Sequence, residues 1–310
     1  MSTPLILVTC RQMQVELPRH RCRLESLGYE VIAPDLGDRQ QFTAEELLKY
    51  SQRLVGIIAG DDELSREFFA GSSRLKTVIR WGIGLDSVDL DAARQFGVNV
   101  RNTPGVFANE VADAAFGYIL NLTRGFIGVD AAVRGGEWPK YEGVTLAGNR
   151  LGIVGIGAIG HEIAKRAGGF NMEVAAFDPF VTSAPVAVSL VDLNTLLSTS
   201  RFIVLACPLT SETFHLIDAG RLAQVRADSY LINVARGPVV HERDLINALK
   251  AGRLRGAALD VFETEPLPMA SELRSLPGVV LGAHNASNTR DGVARASGKA
   301  VDFLLEELAR

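Results

Sequence analysis

The sequence predicts an α/β protein built from two doubly wound parallel sheets, and three observations predict it. Short runs rich in β-branched residues alternate with helix-length segments from one end of the chain to the other. The rhythm starts afresh near the middle, and the restart falls on "LGIVGIGAIG" at 151–160, an apolar run punctuated by glycines. Strands separated by helix-length segments make βαβ units and hence parallel sheets. A chain of 310 residues is longer than one core usually serves, so two series of strands mean two domains.

The first series runs "LILVTC" (5–10), "EVIAP" (30–34), "VGIIAG" (55–60), "TVIRW" (77–81) and "VNVRN" (98–102). The second runs "LGIVGI" from 151, "EVAAFD" (173–178), "VAVSL" (186–190), "FIVLAC" (202–207), "SYLINV" (229–234), "GAALDV" (256–261) and "VVLGAH" (279–284). Between them, Val111, Ala115, Tyr118, Ile119, Leu122 and Phe126 fall at helical spacing, which predicts one long helix over 109–134 crossing between the domains. After the last strand, Val293, Ala296, Ala300, Phe303, Leu304 and Leu308 predict a helix that packs back onto the first domain. The first domain is therefore discontinuous, 1–100 with 287–310, and the second occupies 101–286.

Bulk properties exclude several classes of function. A net charge of -4 and no run of five or more Lys/Arg leave no electrostatic footprint for nucleic acid. Three cysteines with no C-x-x-C pair fit a reducing compartment, and cytoplasm is the expected location. The N-terminus reads as a first strand rather than a signal peptide, and no stretch of 18 apolar residues suggests a membrane span. No metal site is expected.

Gly155, Gly157 and Gly160 form G-x-G-x-x-G between a strand and the helical pattern "AIGHEIAKRAGGF", the context a dinucleotide site requires. Gly155 allows the tight turn, Gly157 lets the main chain approach a pyrophosphate, and Gly160 lets helix and strand pack closely. The helix N-terminus supplies N–H donors and a partial positive charge. Asp178 closes the next strand, where a carboxylate accepts hydrogen bonds from ribose hydroxyls and repels a 2′-phosphate. No Arg follows it in "DPFVT", so the cofactor is NAD rather than NADP. A structural glycine turn followed by a turn-forming Asp-Pro pair is the plainer alternative.

Ligands of open α/β sheets bind beyond the carboxyl ends of the strands. Three late strands deliver charge there: "SYLINVARG" brings Arg236, "GAALDVFETEP" brings Asp260 and Glu265, and "VVLGAHNAS" brings His284. Arg can clamp the carboxylate of a 2-oxo acid, His can exchange a hydroxyl proton, and a carboxylate can orient the imidazole. Singly, each has a bland alternative: a surface cation, a solvated loop charge, a satisfied core histidine. His215 and His241 read as helical or solvated.

At this point the chain resembles the D-isomer-specific 2-hydroxyacid dehydrogenase family, most closely its phosphoglycerate-dehydrogenase-like branch. The segments that carry the resemblance are "WGIGLDSVDLDAA", "NTPGVFANEVAD", "LGIVGIGAIG", "NVARGPVVHERDLINALKAGRLRGAALDVFETEP" and "GAHNAS", in order over nearly the whole chain. It implies a Rossmann-type NAD domain inserted in a flavodoxin-like substrate domain. It also implies that Arg236 binds substrate, that His284 is the acid/base and that Glu265 pairs with it. Further implied roles are Asp260 on the nicotinamide carboxamide, Ala158 and Ile159 as N–H donors to the pyrophosphate, and Cys207 and Val234 lining the cofactor. Gly82, Ile83 and Gly84 resemble the loop whose N–H groups hold the substrate carboxylate. Asn109 falls on a substrate-side position, with an N-cap of the long helix as its other reading. The substrate is expected in the cleft between domains, with pivots near 100 and 286, and a homodimer is expected.

The resemblance implies that neutral His284 takes the hydroxyl proton as hydride leaves for the nicotinamide, and that Glu265 stabilises the imidazolium. Its partners are small 2-hydroxy and 2-oxo acids, with 3-phosphoglycerate leading and glyoxylate, hydroxypyruvate or sulfolactate as alternatives; an NAD-sensing protein of the same fold is a further one. Departures bear on the substrate. Ala59 and Gly60 stand where phosphoglycerate dehydrogenases place Arg-Ser, with Arg80, Trp81 or Arg134 as candidates to compensate. Glu110 and Asp113 replace the family's usual Ser and Glu around Asn109.

Overall fold

The computed structural model describes residues 3–37, 39, 41–184 and 187–310. Its first run of elements is β1 (Leu5–Val8), α1 (Arg11–Glu25), β2 (Glu30–Ile32), α2 (Ala44–Leu48), β3 (Leu54–Ala59), α3 (Arg66–Gly71), β4 (Thr77–Arg80), α4 (Leu90–Gln95) and β5 (Asn99–Asn102). Two helices follow, α5 (Ala108–Arg124) and α6 (Phe126–Arg134). The second run is β6 (Arg150–Val154), α7 (Ala158–Gly169), β7 (Glu173–Phe177), β8 (Val188–Leu190), α8 (Leu193–Thr199), β9 (Phe202–Leu205), α9 (Ala219–Leu222), β10 (Tyr230–Asn233), α10 (Glu242–Lys250), β11 (Gly256–Leu259) and β12 (Val279–Leu281). The last helix is α11 (Arg290–Leu308).

All twelve expected strands form within their predicted segments or one residue beyond them. Val186, part of the expected eighth strand, lies outside the described residues. The chain divides into two compact units, Met1–Phe107 with Asn288–Arg310, and Ala108–Ser287. The expected switch at 100/101 cuts through β5, whose pairing with β4 keeps it in the first sheet, so the division comes after Phe107.

In the first unit the sheet order is β2-β1-β3-β4-β5, every pair parallel. β1, β3 and β4 are buried along their whole length, as strands covered on both faces must be. One cover is α11, which turns Val293, Ala296, Ala300, Val301 and Leu304 inward at helical spacing. Gly56 in β3 makes room for it: a Cβ there would stand 2.8 Å from Leu304 Cδ1. Side-chain caps start several helices, among them Thr43 on α2 with Glu46 completing a capping box, Asp89 on α4 and Thr289 on α11.

In the second unit the order is β12-β11-β10-β9-β6-β7-β8, again all parallel. The chain switches direction across β6, with β7 on one side and β9 on the other. Loops leaving β6 and β9 therefore diverge and open a crevice at their carboxyl ends. The single helix expected over 109–134 is two helices. Gly125 adopts φ 63° with the Tyr141 ring packed against its Cα, and this left-handed residue ends α5 and starts α6 in a new direction.

Leu304 is fully buried between α11 and β3. Leu304→Ala should destabilise the first unit by about 2–5 kcal/mol, read as a fall in midpoint in chemical denaturation. A loss below about 0.5 kcal/mol, the scale of surface changes, would show that α11 does not seal this sheet.

Candidate active site

The glycine turn is set by close approach rather than by flexibility. Gly155 has φ 92°, and a Cβ on it would lie 2.7 Å from the Cys207 nitrogen. The first residues past β6 and β9 thus touch through their backbones, before the loops part. A Cβ on Gly160 would stand 2.2 Å from the Gly155 carbonyl oxygen, so the first turn of α7 packs on the loop. A Cβ on Gly157, by contrast, would meet nothing within 4 Å. No side chain caps α7 and no acid stands in its first turn, so the N–H groups of Ala158 and Ile159 begin a helix whose positive end is open to an anion. This cradle fits the pyrophosphate of NAD.

Asp178 follows β7. Its two oxygens accept from the Ile156 and Phe180 N–H groups at 3.1 and 3.0 Å, which pins the glycine loop to the end of β7. Each oxygen keeps lone pairs for ribose hydroxyls. Cys207 and Val234 end neighbouring strands and are buried; burial raises the Cys207 thiol to about 11, so it is a neutral wall and not a thiolate.

The structure brings His284 and Glu265 into contact. His284 Nδ1 lies 2.7 Å from Glu265 Oε2, while Oε1 accepts from the Phe262 N–H at 2.9 Å. A carboxylate opposite Nδ1 requires that nitrogen to carry its hydrogen, which leaves Nε2 as the exchanging position. Both side chains are about one-third exposed, so the pair is reachable by a small molecule. Arg236 follows β10 and bonds the Ala235 carbonyl at 2.9 Å, and its own carbonyl accepts from buried Asn233 at 3.0 Å. Gly237 sets its neighbour: a Cβ there would fall 1.8 Å from the Phe262 oxygen. The Arg236 turn is therefore pressed directly against the segment that leads into Glu265.

Asp260 is only 2% exposed and already accepts three hydrogen bonds within the protein, from the Tyr118 hydroxyl and the Asn285 and Ala286 N–H groups. Sequence spacing gives no sign of this. Asn109 is no N-cap: it sits inside the first turn of α5, because the helix starts at Ala108, and its side chain accepts from Arg166 at 3.2 Å. In the first unit, Gly82 (φ 138°) donates its N–H to Thr103 Oγ1 at 2.9 Å. The donors this loop presents are thus Ile83 and Gly84, whose N–H groups have no acceptor among the described residues.

Of the candidates to compensate for the missing cation after β3, the two buried ones are engaged within the first unit. Arg80 is buried and paired with Asp61 and the Trp81 carbonyl, the Trp81 indole donates to Ser297, and Arg134 pairs with Asp130. Asp62, beside them, is buried and takes N–H groups of Phe42 and Gly60. His215 and His241 are not helical. They sit in the loops after β9 and β10, pair with Glu263 (2.8 Å) and Asp244 (2.7 Å), and pack edge to face. Among the described residues no cluster of three or more His, Cys, Asp or Glu is arranged for a metal, and no helix is long and apolar enough to cross a membrane.

A nucleotide crevice beside a His–Glu pair and an Arg defines a nicotinamide-dependent oxidoreductase. The profile of the D-isomer specific 2-hydroxyacid dehydrogenase, NAD binding domain, matches residues 116–286. A glyoxylate reductase of Thermococcus litoralis is 40% identical over 82% of this chain and 80% of its own length. A D-3-phosphoglycerate dehydrogenase of Methanocaldococcus jannaschii is 33% identical over 93% of this chain but only 55% of its own. The TT0316 protein of Thermus thermophilus superposes with a TM-score of 0.88 at 34% identity, covering 98% of this chain and 97% of that one. The chain belongs to the D-isomer specific 2-hydroxyacid dehydrogenases, and its cofactor is NAD.

Asp178→Ala should lower the ratio of NAD to NADP catalytic efficiency by at least about tenfold, since it removes a charged hydrogen-bond acceptor that also repels the 2′-phosphate. An unchanged ratio in steady-state assays would place cofactor choice elsewhere.

Proposed function

We propose that the protein reduces a small, unphosphorylated 2-oxo acid of the glyoxylate or hydroxypyruvate kind. The observation that carries this reading is the engagement of Arg80 by Asp61 and the Trp81 carbonyl, at the strand ends where a phosphate would need a cation. A dianionic phosphate there would have to compete with Asp61 for the Arg80 guanidinium. The glyoxylate reductase named above supports the reading, and the phosphoglycerate dehydrogenase marks its rival.

NADH held by the glycine turn, the α7 N-terminus and Asp178 would supply the hydride for the 2-oxo carbon. Arg236 holds the substrate carboxylate and polarises the carbonyl. His284 gives its Nε2 proton to the oxygen that becomes the hydroxyl, and in the reverse direction takes it back. Glu265 fixes the tautomer through Nδ1 and stabilises the charged ring. Asp260 is assigned to the nicotinamide carboxamide only with whatever acceptor capacity its internal bonds leave.

The test is a panel of glyoxylate, hydroxypyruvate, pyruvate, sulfopyruvate and phosphohydroxypyruvate with NADH. Glyoxylate or hydroxypyruvate should give the highest kcat/KM, and phosphohydroxypyruvate should trail by about a hundredfold or more, the cost of an unpaired charge in a site. Phosphohydroxypyruvate in first place would overturn the substrate, and no turnover on any acid with NADH still bound would favour an NAD-sensing protein. His284→Ala should lower kcat by about 10²–10⁴-fold with NADH binding nearly intact; near-normal turnover removes His284 from the mechanism.

The reading includes a cytoplasmic location, in keeping with three free thiols, and a homodimer. No residue of α6 is buried, and Phe126, Ile127, Trp138 and Tyr141 expose apolar surface on and beside it. Light scattering should give twice the 33.4 kDa chain mass, and Ile127→Glu should shift it toward the monomer. A wild-type monomer at micromolar concentration refutes the dimer.

A further inference from the structure

The turn that carries His284 is held by groups that take no part in proton exchange. His284 has φ 51°, a left-handed conformation that non-glycine residues rarely adopt and that persists only where the surroundings over-determine it. Here Asp260 supplies the determination. Its carbonyl accepts the His284 N–H at 2.6 Å, Oδ1 accepts the Asn285 N–H at 3.2 Å, and Oδ2 accepts the Ala286 N–H at 2.9 Å. One buried residue therefore catches three successive amides of the turn.

The carboxylate is itself aimed by a donor from far away in sequence. The Tyr118 hydroxyl on α5 donates to Asp260 Oδ1 at 2.7 Å, across 142 positions of chain. Gly282 keeps the gap open: a Cβ there would lie 2.2 Å from the Tyr118 oxygen and 2.4 Å from Asp260 Oδ1. Burial, and then the facing carboxylate, push the phenol above its ordinary range, so it stays protonated and remains a donor.

We propose that Tyr118 is a positioning residue for the reaction, its hydroxyl fixing the Asp260 carboxylate and, through it, the turn that aims the His284 imidazole. The proposal rests on the acid/base reading of His284. Without the hydroxyl, Oδ1 keeps, among the described residues, the longer bond to Asn285, the carboxylate can rotate, and the turn loses a constraint that holds φ positive. The imidazole then spends less time aligned with the reacting oxygen, so the loss falls on the proton-transfer step and not on binding.

Tyr118→Phe tests this by deleting one oxygen and keeping the ring. We expect kcat to fall about tenfold with KM and the NADH dissociation constant within about twofold, and the solvent deuterium isotope effect on kcat to rise as proton transfer becomes limiting. Wild-type kcat and isotope effect in the variant overturn the proposal. So does a fall in thermal midpoint and NADH affinity with an unchanged isotope effect, which would make the hydroxyl a packing element only. His284→Ala in the same assay separates the two readings. If it stays active, the acid/base reading fails and this inference with it; if it is inactive while Tyr118→Phe behaves as wild type, the inference alone fails.

Discussion

A carboxylate taken out of water has to find hydrogen-bond donors, and the catalytic end of the second sheet is organised by that requirement at Asp260. The donors come from α5 and from the backbone after β12, so satisfying one buried charge ties a helix, the end of β11 and the histidine turn into one unit. The neighbouring contacts follow the same logic of close approach. Gly237 admits the Phe262 carbonyl, Gly155 admits the Cys207 backbone, and Gly160 admits Gly155. At each of these three points a methyl group would push two backbone segments apart, which is why the crevice is lined by backbone and the chemistry is left to a few side chains.

What the sequence discloses, and what it does not, divides along the range of the interactions. Buried parallel strands announce themselves as continuous apolar runs, so β1 to β12 are legible as segments, and the glycine turn is legible because its context is local. His284 and Glu265 can be picked out because each follows a strand, and they do meet. The Tyr118–Asp260 bond cannot: its partners lie in unrelated segments, and Tyr118 reads in sequence as one more apolar position of a helix. The same blindness merges α5 and α6, since helical spacing continues through Gly125 while only a three-dimensional contact with Tyr141 shows the break. Gly82 reads as a donor of its loop, but Thr103, twenty-one positions on, already holds its N–H.

Charge in the first unit shows why a cation's presence in a sequence says little about its availability. Arg80 closes β4 beside the loop of Ile83 and Gly84, yet its guanidinium lies under Gly82 and answers to Asp61 and a carbonyl. Removing such a charge from water is tolerable because it is paired, and the pairing is what withdraws it from ligands. Asp62 is buried alongside, with Thr9 and two backbone amides as partners.

The position of α11 in the chain also dictates an order of assembly. The ribosome delivers all five strands of the first sheet before residue 103, but the helix that covers β3 and β4 follows only after the whole second unit. Meanwhile the whole of Ala108–Ser287 is synthesised and has everything its own sheet requires. The inserted unit can therefore complete itself on the nascent chain while the first sheet waits for the nineteen residues of α11.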